Sequence, residues 1–343
     1  MENNIVKDDN HEISKNTLPP DNFSIIKEIK TCSIWGIDNI FIIYKSNNIF
    51  FLIYATIKNS IISYNLNTET INVEIKKAHY QSITNFRHYH KEISNNDFIM
   101  SIAGKINQIK IWDTFNWECI LFLPLYQENN LIYSSTFFNE NNKDYIITCG
   151  FYNSSINIYD FSGKIYKTIN NSKDETFFID YYFDDKSYIY YIITGNNGYI
   201  KSYNYNKNKL YHKYCDNDES WHISIKFNKS KNILKLLDAC WDDDYIRIWD
   251  FHLGILLDKI MTNGEGLRCI SIWDNNYIFV GCSDNKMRLI DINNKKVIKT
   301  FEGHSNWVCT IKKINHPKYG ECLLSQEMGE YSKIFIWTNK LSN

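Results

Sequence analysis

Apolar residues recur along the chain in short runs that polar turns separate. The range from Cys269 to Gly303 contains four such runs, and pairs of Asn or Asp residues such as Asn293-Asn294 divide them. Short apolar runs bounded by turn residues are typical of consecutive antiparallel strands joined by hairpins. Helical periodicity is absent, so the chain is predicted to be all-β.

A dipeptide recurs within these runs at a nearly constant interval. It is complete at Trp112-Asp113 and Trp249-Asp250, and altered copies begin at residues 64, 159, 203, 290 and 337. The seven positions are 48, 47, 44, 46, 41 and 47 residues apart. A period in the forties is expected for the four-stranded blade of a β-propeller. The spacing therefore predicts a seven-bladed β-propeller of four-stranded antiparallel blades.

The two ends of the chain indicate how this ring closes. The segment from Ile25 to Ile29 has the apolar and polar order of a fourth strand, whereas the last repeat ends after its third strand at Trp337. We therefore expect the N-terminal strand to complete the last blade, which would remove exposed sheet edges. Residues 23–343 are predicted to form the propeller, and the polar residues 1–22 a disordered tail.

The chain resembles the WD-repeat β-propeller family. The resemblance rests on Gly303-His304 followed by Trp337, on Asp284 before Ile290, and on the run from Trp241 to Asp250. In that family a His, a second-strand Ser or Thr, a turn Asp and the third-strand Trp form a buried hydrogen-bond network. The resemblance implies structural roles for His304, Ser325, Trp337, Asp284, Asp243, Trp249 and Trp112, with His79 as a second His of this kind.

The net charge and the cysteines limit the kinds of binding partner and the cellular compartment that we expect. The formal net charge is −1, and the 38 Lys and Arg residues are spread over the repeats, which argues against nucleic acid as a partner. None of the nine cysteines forms a C-x-x-C pair, as expected in a reducing compartment. No apolar run approaches the ~20 residues of a membrane helix. We predict a cytoplasmic protein, with a nuclear location as the alternative.

Two clusters of reactive side chains invite a chemical interpretation. Asp242-Asp243-Asp244 lacks the spacing of a calcium loop, and its composition favours a hairpin turn. His212, Cys215, Asp216 and His222 are metal-capable, but a surface loop is the stronger interpretation because structural zinc ligands are usually paired closely. The sequence contains no familiar catalytic motif. We predict no metal, no cofactor and no enzymatic activity.

A partner-binding face is expected where the first strands begin. The resemblance implies binding at the central opening of one face, through residues early in first strands and in second-to-third turns. Aligning the repeats places Trp221 and Trp307 at one position. Phe177, Leu267 with the adjacent Arg268 and, more loosely, Tyr133 fall at the same place in other repeats, and the turn residue Asp242 is a further candidate. Aromatic residues with one Arg are typical of interface hot spots, although large rings that cover the core would give the same pattern.

These observations favour a non-catalytic scaffold that binds other proteins, as one propeller within a multi-subunit assembly. The alternative is a propeller that binds a small ligand or catalyses a reaction in its central channel, which would require convergent His and carboxylate groups with perturbed pKa values. Recognition of nucleic acid or histone tails would require a charged surface stripe, which near-neutral charge disfavours.

Overall fold

The computed structural model describes residues 21–32, 39–104, 107–124, 131–150, 155–170, 174–216, 219–229 and 233–339. These residues form 28 strands in seven four-stranded sheets. The strands are β1 (Phe23–Lys30), β2 (Phe41–Ser46), β3 (Ile49–Ala55), β4 (Ile61–Asn65), β5 (Thr70–Ile75), β6 (Asn85–Lys91), β7 (Asn96–Ala103), β8 (Gln108–Asp113), β9 (Cys119–Pro124), β10 (Ile132–Glu140), β11 (Lys143–Gly150), β12 (Ser155–Asp160), β13 (Ile165–Asn170), β14 (Thr176–Asp184), β15 (Ile189–Asn196), β16 (Ile200–Asn204), β17 (Lys209–Tyr214), β18 (His222–Lys229), β19 (Leu234–Cys240), β20 (Tyr245–Asp250), β21 (Ile255–Met261), β22 (Leu267–Ile272), β23 (Tyr277–Cys282), β24 (Met287–Asp291), β25 (Lys296–Phe301), β26 (Val308–His316), β27 (Gly320–Glu327) and β28 (Lys333–Asn339).

The sheets are the seven blades of a propeller, as the sequence predicts. Blades 1 to 6 contain β2–β5, β6–β9, β10–β13, β14–β17, β18–β21 and β22–β25, and blade 7 contains β26, β27, β28 and β1. Every first strand contacts the first strand of the next blade, and β26 contacts β2, so the ring is closed. The predicted tail lies, up to residue 20, outside the described residues and stays a prediction.

The N-terminal strand closes blade 7, which confirms the predicted closure. β1 runs antiparallel to β28, with Ile29 opposite Ile334. An ion pair of 2.7 Å joins Glu28 to Lys333. Ile29 and Ile334 share a hydrophobic cluster with Phe41 of blade 1, so β1 also contributes to the packing between the last blade and the first.

The hydrophobic core lies between adjacent blades. Leu52 and Ile53 are consecutive in β3 and point to opposite faces, yet both are completely buried. Leu52 packs with Leu324 of blade 7, and Ile53 packs with Ile99 of blade 2. Because both faces of each blade are covered, the inner strands are continuously apolar instead of alternating.

The recurring dipeptide marks a bulge followed by a capped turn. In blades 1 to 6 the pairing of third and fourth strands shifts register directly before its first residue, as at Trp249. Its second residue then accepts hydrogen bonds from the turn, as when Asp250 Oδ1 accepts from the His252 and Leu253 amides at 2.9 Å. Equivalent Asp or Asn contacts occur in the other five blades. The period therefore persists where Trp is replaced, because the turn requires the short polar side chain.

Candidate functional site

Aromatic residues near the starts of first strands form a row across blades 3, 4 and 5. The ring centroids of Tyr133 and Phe177 are 5.3 Å apart. Phe177 stacks on Trp221 with centroids 4.5 Å apart and an interplanar angle of 15°. Phe177 is buried beneath its neighbours, whereas Tyr133 and Trp221 are half-buried. Three of the sequence candidates are thus brought together.

Two further tryptophans extend this row to blade 7. Trp241 meets Trp221 edge to face at a centroid distance of 5.4 Å, and Trp307 meets Trp241 at 5.8 Å. Trp241 lies beside Trp221 because the end of a second strand adjoins the start of the first, and its amide donates to the Trp221 carbonyl at 2.9 Å. We call Tyr133, Phe177, Trp221, Trp241 and Trp307 the aromatic arc. Trp241 was missed as a candidate, although the expected role of second-to-third turns pointed to it.

Arg268 lies between two of these indole rings. Its guanidinium carbon is 3.4 Å from the ring centroid of Trp241 and 3.9 Å from that of Trp307. Its Nε donates to Ser283 Oγ at 2.7 Å. Burial lowers the pKa of Arg268 to about 10, so the side chain is still a cation at neutral pH. The stacked cation joins blades 5, 6 and 7 at the arc.

The sequence alignment of these candidates is offset from the structure in three blades: Tyr133 and Phe177 lie two residues, and Leu267 one residue, from the position that Trp221 and Trp307 share. Tyr133, Phe177 and Arg268 each occupy a bulge at the start of a first strand. Trp221 and Trp307 lie two residues before the corresponding bulge. A bulge adds an unpaired residue and so reverses which neighbours face the core.

The structure places Leu267 in the core instead of on the face. Leu267 is completely buried in the hydrophobic cluster between blades 5 and 6, where it packs with residues such as Ile246 and Val280. The adjacent Arg268 occupies the bulge and therefore points elsewhere. Of these two residues, Arg268 is the one that contacts the aromatic arc.

An open depression of about 550 Å³ adjoins the blade 5 to 7 end of the arc. Trp241, Trp307 and Arg268 line it together with two loops. These loops are the turn of residues 242–244 after β19 and the segment of residues 264–266 before β22, with Ser283 nearby. Asp242 is exposed in the first of them. The depression therefore combines indole rings, one cation and several carboxylates.

Buried Arg residues hold the turns beside this depression. Asp243 binds Arg247, and Asp284 binds Arg288, each pair four residues apart. Arg247 also donates from Nε to Asp216 at 2.8 Å. Within the described ranges neither turn carboxylate bonds a His, which differs from the network that the resemblance implies. These ion pairs fix the second-to-third turns of blades 5 and 6.

Blades 2 and 7 contain chains of His, Ser and Trp. In blade 7, Ser325 Oγ lies 2.7 Å from His304 Nε2 and accepts from Trp337 Nε1 at 2.6 Å. Glu327 lies 3.5 Å from His304 Nδ1 and so supplies a carboxylate from the end of β27 instead of from the turn. In blade 2, Ser101 Oγ has the same relation to His79 and Trp112, at 2.7 and 2.8 Å.

Trp249 of blade 5 lacks such a chain. In blade 2, Ser101 pairs with Lys110 across the second and third strands. The equivalent residue of blade 5 is Asp238, which pairs with Arg247. The Trp249 Nε1 atom is buried and bonds to no group in the described part of the chain. Trp249 is held instead by packing against rings such as Tyr214, at a centroid distance of 5.9 Å.

The metal-capable side chains group differently from the sequence pattern. His222 Nδ1 lies 2.7 Å from Asp238 Oδ2 and 3.3 Å from Cys240 Sγ, and all three residues are buried. Their ligand atoms lie within 4.8 Å of one another, so this trio has the geometry to hold an ion. Burial raises the pKa of the Cys240 thiol to about 12. Asp216, by contrast, pairs with Arg247 and Lys259.

A short segment of the chain matches a known protein. No protein-family model matches the chain. A segment of 75 residues is 27% identical to the U3 small nucleolar RNA-associated protein 21 homolog of Schizosaccharomyces pombe. Fold and match together support a propeller of the WD-repeat kind. The matched segment is 22% of this chain and spans only 8% of the relative. Among the described residues, no helix has the length and apolar character needed to cross a membrane.

Proposed function

We propose that this protein is a non-catalytic scaffold that binds other proteins through the propeller face carrying the aromatic arc. The observation that carries the proposal is the continuous contact of five rings and one buried Arg across blades 3 to 7. Aromatic and Arg side chains dominate the binding energy of protein interfaces. Because stacking already fixes these rings, a partner would meet a preorganised surface at low entropic cost.

The wider setting of this role is a multi-subunit assembly. The relative's name associates that protein with the U3 small nucleolar RNA, which supports an assembly and makes the nucleus, beside the cytoplasm, a compartment to test. Within such an assembly the propeller would act as a monomeric unit whose partners are proteins.

The test is affinity capture with the variant Trp221→Ala/Trp307→Ala. Loss of two central rings should weaken partner binding on the order of 30-fold or more, as expected for hot-spot residues. Phe115→Ala is the matched control, because Phe115 is 90% exposed and lies outside the arc. Proteins captured by the wild type and the control but lost from the double variant support the proposal. An unchanged set of partners with a lowered melting temperature would show that the rings only cover the core.

A small-ligand function is the second candidate, because the depression of about 550 Å³ lies within the size range of ligand sites. Native mass spectrometry of the purified protein tests it. A bound small molecule that is lost from Trp307→Ala would favour this candidate over the scaffold.

A further inference from the structure

The depression beside the aromatic arc carries uncompensated negative charge. Asp243 is neutralised by Arg247. The carboxylates of Asp242, Asp244 and Glu265 form no hydrogen bond or ion pair with any residue in the described ranges, and Arg268 is the one cation that lines the depression there. Asp242 interacts electrostatically with Arg268, and three carboxylates against this one guanidinium leave a net charge of −2. A site of this sign attracts cations and repels anions.

Arg268 supplies an independent indication of a ligand. The residue is only 3% exposed, two indoles cover its faces, and Nε is bonded to Ser283. Its two terminal Nη groups bond to no acceptor in the part of the chain that the structure describes, and Arg268 lines the depression. These Nη atoms are not among the fully enclosed polar atoms that lack a partner, so they reach the depression and can donate a hydrogen bond there. A ligand that brings a carbonyl oxygen to this point would accept that hydrogen bond.

The negative charge of the depression and the donors of Arg268 together select among ligand classes. A metal ion would need convergent oxygens, but in the described residues these three carboxylates do not form a group within 4.8 Å of one another. An acidic peptide or a nucleic acid would be repelled by the rim. A peptide with a Lys or Arg side chain offers both a cation for the rim and main-chain carbonyls for Arg268. The indole rings add surface for its aliphatic stem.

We infer that the depression formed by Trp241, Trp307, Arg268 and the carboxylates of Asp242, Asp244 and Glu265 binds a basic peptide segment of a partner protein. The basic side chain lies among the carboxylates, and a neighbouring main-chain carbonyl accepts from Arg268. This inference rests on the proposed scaffold function and specifies the chemistry of its partner.

Random heptapeptides displayed on phage, selected on the intact protein, test the inference. The selected peptides should share a Lys or Arg at one position, and replacing that residue by Gln in a synthetic copy should weaken binding. Asp242→Asn/Glu265→Gln should weaken the original peptide by about three- to tenfold, as expected for two rim ion pairs, and raised salt should do the same. Glu74→Gln/Glu118→Gln is the matched control, because it makes the same charge change at exposed positions of blades 1 and 2.

The outcomes separate this inference from the scaffold proposal. Selected peptides that lack a basic residue, or equal binding to Asp242→Asn/Glu265→Gln and the wild type, would overturn the basic-peptide site. The same carboxylate variant is then used in affinity capture. Partners lost from Trp221→Ala/Trp307→Ala but retained by the carboxylate variant would leave the scaffold standing and the inference refuted. Partners retained by both variants would refute both.

Discussion

Two pairs of blades, 2 with 7 and 5 with 6, share the same backbone arrangement but use different polar interactions. The first two contain hydrogen-bonded chains through Ser101 and Ser325. The other two hold their second-to-third turns with ion pairs of Arg247 and Arg288. Hydrogen-bonded chains stabilise a blade internally, whereas the ion pairs lie beside the depression and shape its walls. Blades 5 and 6, which supply both loops of the depression, therefore use buried Arg residues to hold the turns beside it.

The largest effect is expected from Arg247→Met in blade 5. The substitution keeps apolar volume but leaves Asp216 and Asp243 without their buried cation. Removing one partner of a buried pair typically costs about 3–5 kcal/mol. Urea unfolding should show a loss of this size. The same change at Arg288 should cost less, because among the described residues its one ion-pair partner is Asp284. Equal losses at Arg247 and Arg288 would show that the second carboxylate of Arg247 adds nothing to stability.

A pH effect of similar size is expected in blade 2. Burial lowers the pKa of His79 from 6.5 to about 4, so between these values the unfolded chain binds a proton that the folded blade excludes. The contribution of His79 to the free energy of unfolding is therefore fully present above pH 6.5 and is lost as the pH falls towards 4. This pKa shift corresponds to a loss of about 3 kcal/mol in the free energy of unfolding.

The variant His79→Gln isolates this contribution, because Gln retains a donor towards Ser101 but does not titrate. The free energy of unfolding of both proteins is measured in urea at several pH values. Between pH 7 and pH 4 the variant should become about 3 kcal/mol more stable relative to the wild type. Parallel pH profiles would show that His79 is not the group that titrates. Other His residues are present in both proteins and cancel in the difference.

The smallest effect is expected from Ser325→Ala in blade 7. The change removes the hydroxyl that joins His304 to Trp337 and leaves two buried groups unsatisfied, at a cost of about 1–3 kcal/mol. Ser63 is the matched control, because it is buried but its Oγ bonds to nothing among the described residues. Ser63→Ala should be almost neutral. Equal losses of stability at Ser63 and Ser325 would show that the hydrogen bonds of Ser325 add nothing beyond the burial of the side chain.

The fold could be predicted because one local requirement repeats in blades 1 to 6. The Asp or Asn that ends the third strand caps a turn, and the bulge before it sets the register of the fourth strand. Both depend on residues near one another in sequence, so the period is visible even where Trp is replaced by Tyr or Ile. Closure by β1 was predictable for the same reason, since Ile25 to Ile29 has the pattern of a fourth strand.

The candidate site was only partly predictable. Trp221 and Trp307 were found from their position, but the stacking of Arg268 on Trp241 depends on how blades 5 and 6 meet, which no local pattern encodes. The pairing of His222 with Asp238 joins two strands through a register that the bulge shifts. Glu327 in place of a turn Asp was missed because the carboxylate enters from a strand end.

Closure by the N-terminal strand has a consequence for synthesis. β1 emerges from the ribosome first, but its partner β28 follows roughly 300 residues later, or about 15–60 s at ordinary elongation rates. During that time β1 has no edge to join, and blade 7 remains incomplete. The nascent chain must therefore keep Phe23–Lys30 available until the last strand appears, so ribosome pausing and chaperone contact should matter most for this one strand.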